Sequence, residues 1–137
     1  MIKKENIRRS SCPISYSLDL LGDKWTLLVI RDIVFSNKHY FREFLASSEK
    51  IASNILADRL NKLEMAEIIS RRPDPDNARK VIYELTDKGA DLIPALLELI
   101  RWGAKYDAET AAPKHWVRRI DKERAVLIKE IKSSMKG

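Results

Sequence analysis

The sequence predicts a mainly α-helical domain carrying one small β-hairpin, an α+β arrangement. Three observations lead there. Apolar residues recur at i, i+3, i+4 and i+7 through most of the chain, the spacing of one helix face. Between residues 67 and 85 that period falls to two, on either side of the turn-rich run Pro73-Asp74-Pro75-Asp76-Asn77. Beyond residue 86 the helical spacing returns. A length of 137 residues suits one domain that buries about two-thirds of its unfolded surface.

Each element follows from local chemistry. Residues 15–21 bring Tyr16, Leu20 and Leu21 together with Leu18 beside them, and Gly22 offers a left-handed cap to end this helix. Asp23 is placed to cap a second helix over 24–35, KWTLLVIRDIVF, which is apolar on most faces and therefore central. Ser36-Asn37-Lys38 is a turn. A third helix over 40–46 directs Phe41, Phe44 and Leu45 inward, and Ser47-Ser48-Glu49-Lys50 ends it. A fourth, over 53–64, aligns Leu56, Leu60 and Leu63 with Ala52 and Ile55, leaving Asn54, Ala57, Asp58 and Asn61 as a small polar face. Strands over 67–72 and 80–85 form the hairpin, with Val81, Tyr83 and Leu85 on one side; two strands alone are marginal and must pack on helices. Thr86 caps a long helix over 87–107 that sets Leu92, Leu96, Leu99, Ile100 and Gly103 on one side, with Pro94 bending it or loosening one turn. Ala111-Ala112-Pro113 is a break, and 114–132 places Trp116, Ile120, Leu127 and Ile131 on one stripe, with Trp116 packing this extra segment onto the domain. The expected organisation is a basic arm over 1–10, a domain over 11–106 and a C-terminal helical extension over 107–137.

Charge narrows the partners. The net charge is +6, yet residues 11–112 carry fourteen positive and sixteen negative side chains. The excess lies in residues 1–10 and 113–137, and basic ends attract nucleic acid or anionic surfaces. No apolar run approaches the ~20 residues of a membrane span, so no membrane partner is expected. The first ten residues lack a secretory cleavage pattern, and one cysteine makes no internal disulfide; both fit a cytoplasmic protein. There is no glycine-rich phosphate loop, and Cys12, His39 and His115 lack metal-ligand spacing, so neither enzyme, cofactor nor metal site is expected. Each histidine reads as a lone surface residue.

The order of four helices, a hairpin and a further helix is the pattern of a winged helix-turn-helix, with helices three and four as the pair and the hairpin as wing. An all-helical domain whose hairpin only covers the core is the competing architecture. The second helix of such a pair enters the DNA major groove. Ser53, Asn54, Ala57, Asp58 and Asn61 are therefore the candidates for base contact: asparagine can pair with adenine edges, alanine can meet a thymine methyl, and aspartate can accept from cytosine. Lys38, Lys50, Arg59, Arg71, Arg72, Arg79 and Lys80 are the candidates for phosphate contact, although Arg59 could instead brace its helix through Glu43. Trp25 and Trp102 read as core or dimer aromatics.

The stretches CPISYSLDLLGDKWTLLVIRDI, YFREF, IASNILADRLNKLE, SRR and KVIYELTDKGADLIPALLELIRWG, spread over about residues 12–103, jointly resemble the HxlR family of bacterial winged-helix transcription regulators. The resemblance implies a homodimer that binds partly palindromic operator DNA. It implies dimerisation through the first helix and the post-wing helix, here Tyr16, Leu20, Leu92, Leu96, Leu99, Ile100 and Gly103; residues 107–137 extend past the family core and are expected to add a helix to that interface, the other reading being a place on the surface. A cysteine at the place of Cys12 serves redox or electrophile sensing in some members; the other reading is a small apolar residue at the dimer seam. Arg8, Arg9 and the following helix could favour its thiolate. A small-molecule effector stays open, as does use of the fold as a protein-interaction module. The chain departs from the family pattern at Lys50-Ile51-Ala52, where Gly-Ile-Ser is common, so the side-chain cap shifts to Ser53 or is lost. Asn54 replaces a basic residue and Glu67 a glycine, and the wing is rich in Asp.

Overall fold

A computed structural model describes residues 9–136. The element order is α1 (Pro13–Leu21), α2 (Thr26–Ser36), α3 (Phe41–Leu45), α4 (Ser53–Met65), β1 (Ile69–Asp74), β2 (Asn77–Leu85), α5 (Asp87–Ala90), α6 (Ile93–Tyr106), α7 (Lys114–Lys122) and α8 (Arg124–Lys136). Four helices, one antiparallel hairpin and further helices give the winged helix-turn-helix predicted from the order of periods. Of the expected basic arm, residues 1–8 lie outside the described residues.

The core forms around α2, whose Val29, Ile30 and Ile33 are buried and which touches β2, α6 and α8. Leu56, Leu60 and Leu63 of α4 and Phe44 of α3 close one side. Ile93, Leu96 and Leu97 of α6 close another. Each large apolar side chain fully buried in this way stabilises the fold by roughly 1.5–3 kcal/mol. Ile120, Leu127 and Ile131 are buried as the stripe predicts, and Trp116 meets Phe35 edge-on with ring centroids 5.5 Å apart.

Several boundaries move, each for a local reason. Gly22 is right-handed, at φ −79°, rather than a left-handed cap; its N–H donates to the Leu18 carbonyl at 2.8 Å, and a Cβ there would collide with that oxygen. The long post-wing helix is interrupted rather than bent. Pro94 cannot donate to a carbonyl one turn back, so α5 ends at Ala90, Leu92 N–H closes a tight turn on the Gly89 carbonyl at 3.0 Å, and α6 starts at Ile93. The segment predicted as one helix over 114–132 is two, broken at Glu123 (φ −135°). The first strand starts at Ile69 because Glu67 holds φ 62° and turns the chain. Pro73, which has no N–H for the ladder, sits next to a register shift between Pro73 and Asp74.

Candidate nucleic-acid interface

The two helices of the helix-turn-helix are set by charged side chains at their joints. Asp23 accepts from the backbone N–H groups of Trp25 (2.9 Å) and Thr26 (3.2 Å), and from the Thr26 hydroxyl. It also accepts from Arg59 Nε of α4 at 2.8 Å, which ties the start of α2 to α4. Partial burial pushes the Asp23 carboxyl up, but the hydrogen bonds from Thr26, Arg59 and Trp25 prevail and hold it at about 2. Arg31 clamps Glu49 of the α3–α4 turn with Nη1 and Nη2 at 2.6 and 2.9 Å and donates to Asp32 at 3.0 Å. That bidentate pair holds the Glu49 carboxyl at about 2. Asp32 is buried and accepts from Ser47 Oγ at 2.5 Å, and Lys38 Nζ donates to the same hydroxyl at 2.7 Å. The turn of the motif is thereby bolted to α2.

Three backbone positions frame the unit. Asn37, Lys50 and Glu67 have φ of 52°, 61° and 62° and lie in the turns before α3, before α4 and after α4. The last two are places where the family resemblance implies glycine. The side-chain cap of α4 is absent: Ala52 occupies the cap position and no side chain accepts there. Ala52 is exposed rather than on the apolar side.

α4 presents Ser53, Asn54, Ala57, Asp58 and Asn61 to solvent together. Asp58 is engaged with Arg59 at 2.5 Å and Lys62 at 3.3 Å, and Asn61 reaches Met65 Sδ at 3.7 Å. Ser53, Asn54 and Ala57 are exposed at the N-terminal end of the helix.

The wing is tethered beside this face. Tyr83 N–H donates to the His39 carbonyl at 2.8 Å, and His39 Nδ1 lies 2.8 Å from the Tyr83 carbonyl oxygen. His39 Nε2 is 2.9 Å from Asn37 Oδ1, so this histidine is built into the wing joint and is not a lone surface residue. Tyr40 donates its hydroxyl to Asp74 at 2.7 Å, and Asp74 also accepts from Asp76 N–H at 2.9 Å. The Asp76 N–H and the Tyr40 hydroxyl hold the Asp74 carboxyl below the usual range. Asp74 is thus a tie between wing and α3 rather than free negative charge at the tip. Sequence reasoning missed Tyr40, His39 and Asp74 as a set; their separation along the chain, 34 residues between Tyr40 and Asp74, leaves no local signal.

The basic candidates divide by partner. Lys38 points inward to Ser47, Arg59 is held by Asp23 and Asp58 rather than by Glu43, and Arg72 grips Glu84 at 3.0 and 3.3 Å. Glu43 instead caps α3, accepting from His39 and Tyr40 N–H at 2.8 and 3.0 Å. Lys80 lies 5.3 Å from the Tyr40 ring centroid, a cation–π contact. Lys50, Arg71 and Arg79 are exposed.

Cys12 is exposed and occupies the cap position of α1, with Pro13 following. Arg9 pairs with Asp19 at 2.7 Å, and Arg8 lies outside the described residues. α1 buries no residue; Ile14, Tyr16 and Leu18 are exposed and Leu20 is half-buried. On α6, Leu99, Trp102 and Tyr106 are exposed, whereas Leu96 belongs to the chain's own core and Leu92 and Ile100 pack against that core. A Cβ at Gly103 would meet nothing within 4 Å.

Two helices across a bolted turn, an exposed polar helix face and a hairpin tied beside it define the winged helix-turn-helix class of transcription regulators. Residues 20–111 match the HxlR-like helix-turn-helix family, and the chain belongs to it. The regulator YodB of Bacillus subtilis is 34% identical over 96 residues, covering 69% of this chain and 85% of YodB. The regulator BH0655 of Halalkalibacterium halodurans is 34% identical over 103 residues, covering 75% and 89%. Among solved structures, reduced YodB matches with a TM-score of 0.56 at 32% identity, covering 74% of this chain and all of that one. The redox regulator HypR in its reduced form matches with a TM-score of 0.61 at 29% identity, covering 69% and 92%.

Proposed function

We propose that the protein is a homodimeric, sequence-specific DNA-binding regulator without catalysis that acts in the cytoplasm on a partly palindromic operator. The observation that carries this is the exposed N-terminal face of α4, Ser53, Asn54 and Ala57, beside a wing fixed by Tyr40–Asp74 and His39–Tyr83. α4 enters the major groove, and Lys50, Arg71 and Arg79 meet the phosphates on either side of it. The symmetric contact is made by α1 and by the α6 stripe Leu99–Trp102–Tyr106, a seam of large apolar side chains open to water in one chain. Residues 107–137 add α7 and α8 to the back of each domain through Ile120 and Leu127. Cys12 stands at the exposed start of α1, where oxidation would alter the seam; the relatives include YodB in its reduced form and HypR described as a redox regulator.

Selection from random duplex DNA by the purified protein tests the reading. The expected product is an inverted repeat with half-site centres about one helical turn apart. Affinity for it falls steeply with salt, because several phosphate contacts release counterions. A pool without enrichment would overturn the operator reading and favour a winged helix that binds protein instead.

A further inference from the structure

A cleft of about 540 Å3 opens between the base of the wing, α5 and α8. That size falls in the range of small-molecule sites, roughly 300–1,000 Å3. Ile33, Leu85, Ala90 and Met135 supply apolar wall. α8 lies beyond residues 20–111, so a segment outside the family match closes the cleft.

The polar wall is unequally satisfied. Asp87, the first residue of α5, and Asp91, which follows its last, are both exposed and line the cleft, and neither has an ion pair or side-chain hydrogen bond among the described residues. Lys132 of α8 also lines the cleft and has none. Glu84 is taken by Arg72, and both ring nitrogens of His39 are bonded within the wing joint. The open chemistry of the cleft is therefore two carboxylates, one ammonium and an apolar wall.

We propose that this cleft binds a small amphipathic organic amine. The ammonium sits between Asp87 and Asp91, the apolar body lies on Ile33, Leu85, Ala90 and Met135, and a hydrogen-bond acceptor on the far end meets Lys132. Occupancy also reaches the wing. Glu84 lines the same cleft, and a bound cation draws it from Arg72, leaving that guanidinium to a phosphate. The ligand thus acts as a co-effector that strengthens DNA binding; this second step rests on the DNA-binding reading above.

Dansylcadaverine, a primary amine on an aromatic sulfonamide, is a direct probe, and dansylglycine carries a carboxylate instead. Fluorescence titration of the full chain without DNA should give saturable binding of dansylcadaverine, one per chain, and none of dansylglycine. Asp87→Asn with Asp91→Asn should weaken the amine by about tenfold or more. Ala90→Phe, which fills the cleft, should abolish binding while melting as the parent does, and it decides the matter if the double variant fails to fold. Absent saturation, equal binding of the carboxylate, or unchanged binding in a folded variant overturns the site. With selected duplex DNA, the amine should raise the affinity of the parent and leave that of Arg72→Ala unchanged. Probe binding with no change in parental DNA affinity overturns the coupling alone. A parent that binds the amine but no DNA overturns the operator reading and leaves the site standing.

Discussion

Glu67 follows α4 in the left-handed region, a place where the family resemblance implies glycine and this chain carries a Cβ. That conformation costs an L-residue roughly 1–2 kcal/mol, and glycine escapes the cost while losing more chain entropy on folding. The side chain is exposed, so Glu67→Gly removes strain and little packing. The expected outcome is a stabilisation of about 0.5–1 kcal/mol, seen in calorimetry as a melting temperature about 2–5 °C higher. Cys12 is the second residue with a distinct expectation. Exposed at the start of a helix with no fully buried residue, its thiol is open to oxidants. Diamide should shift parental DNA affinity or cross-link the dimer, whereas Cys12→Ser should not respond. A serine variant that responds like the parent removes Cys12 from the sensing role.

At the scale of elements, the wing depends on two ties, and its charge depends on which side chains remain exposed. Arg79→Glu with Lys80→Glu reverses charge beside a duplex and should reduce operator affinity at least about tenfold at moderate salt. Tyr40→Phe leaves every charge in place and removes only the hydroxyl that holds Asp74. Amide hydrogen exchange over residues 74–80 should quicken in that variant, and DNA affinity should fall by less than in the charge reversal. Equal loss in both would place the effect in wing position rather than charge. This division also shows how far the sequence could be read. The helical period located α4 and the period of two the hairpin, because burial of one face writes a local pattern, while α2 was legible as a run apolar on most faces. The break at Asp91–Leu92 was legible only as a perturbation at Pro94, since a bend and an interruption share one sequence signal. The partners of Arg59, Arg72, Lys38 and Asp74 were not legible, because each bond joins residues brought together by tertiary packing. Exposed positions on α4 were legible as a face, for the same periodic reason as the core.

At the scale of the whole molecule, acid should loosen the bolts between α2 and the helix-turn-helix. Asp23 titrates at about 2 in the fold against an ordinary 3.8, so its contribution is present above the unfolded value and is lost as pH falls toward 2. Glu49, also held at about 2, acts in the same direction. The melting temperature should therefore drop between about pH 4.5 and 2, and Asp23→Asn should flatten part of that drop by lowering stability at neutral pH. The proposed dimer rests on what a single chain leaves uncovered. Leu99, Trp102 and Tyr106 repeat at three- and four-residue steps along α6, while Leu96 on the same helix faces inward. Trp102 and Tyr106 rings lie 5.4 Å apart, and Lys105 Nζ lies 5.4 Å from the Tyr106 ring centroid, so the pair stays largely open to water. Exposed aromatic surface of this kind marks an interaction site, and twofold contact of one such stripe with its copy is the commonest closure. Trp102→Asp removes the largest ring and places a charge in the seam, without touching the core of the chain. Light scattering should then report a folded monomer with unchanged circular dichroism. Operator binding should become weak and half-site in character, because two recognition helices are no longer linked. A Trp102→Asp protein that stays dimeric and keeps full affinity would assign the seam to another surface, with α1 the next to test.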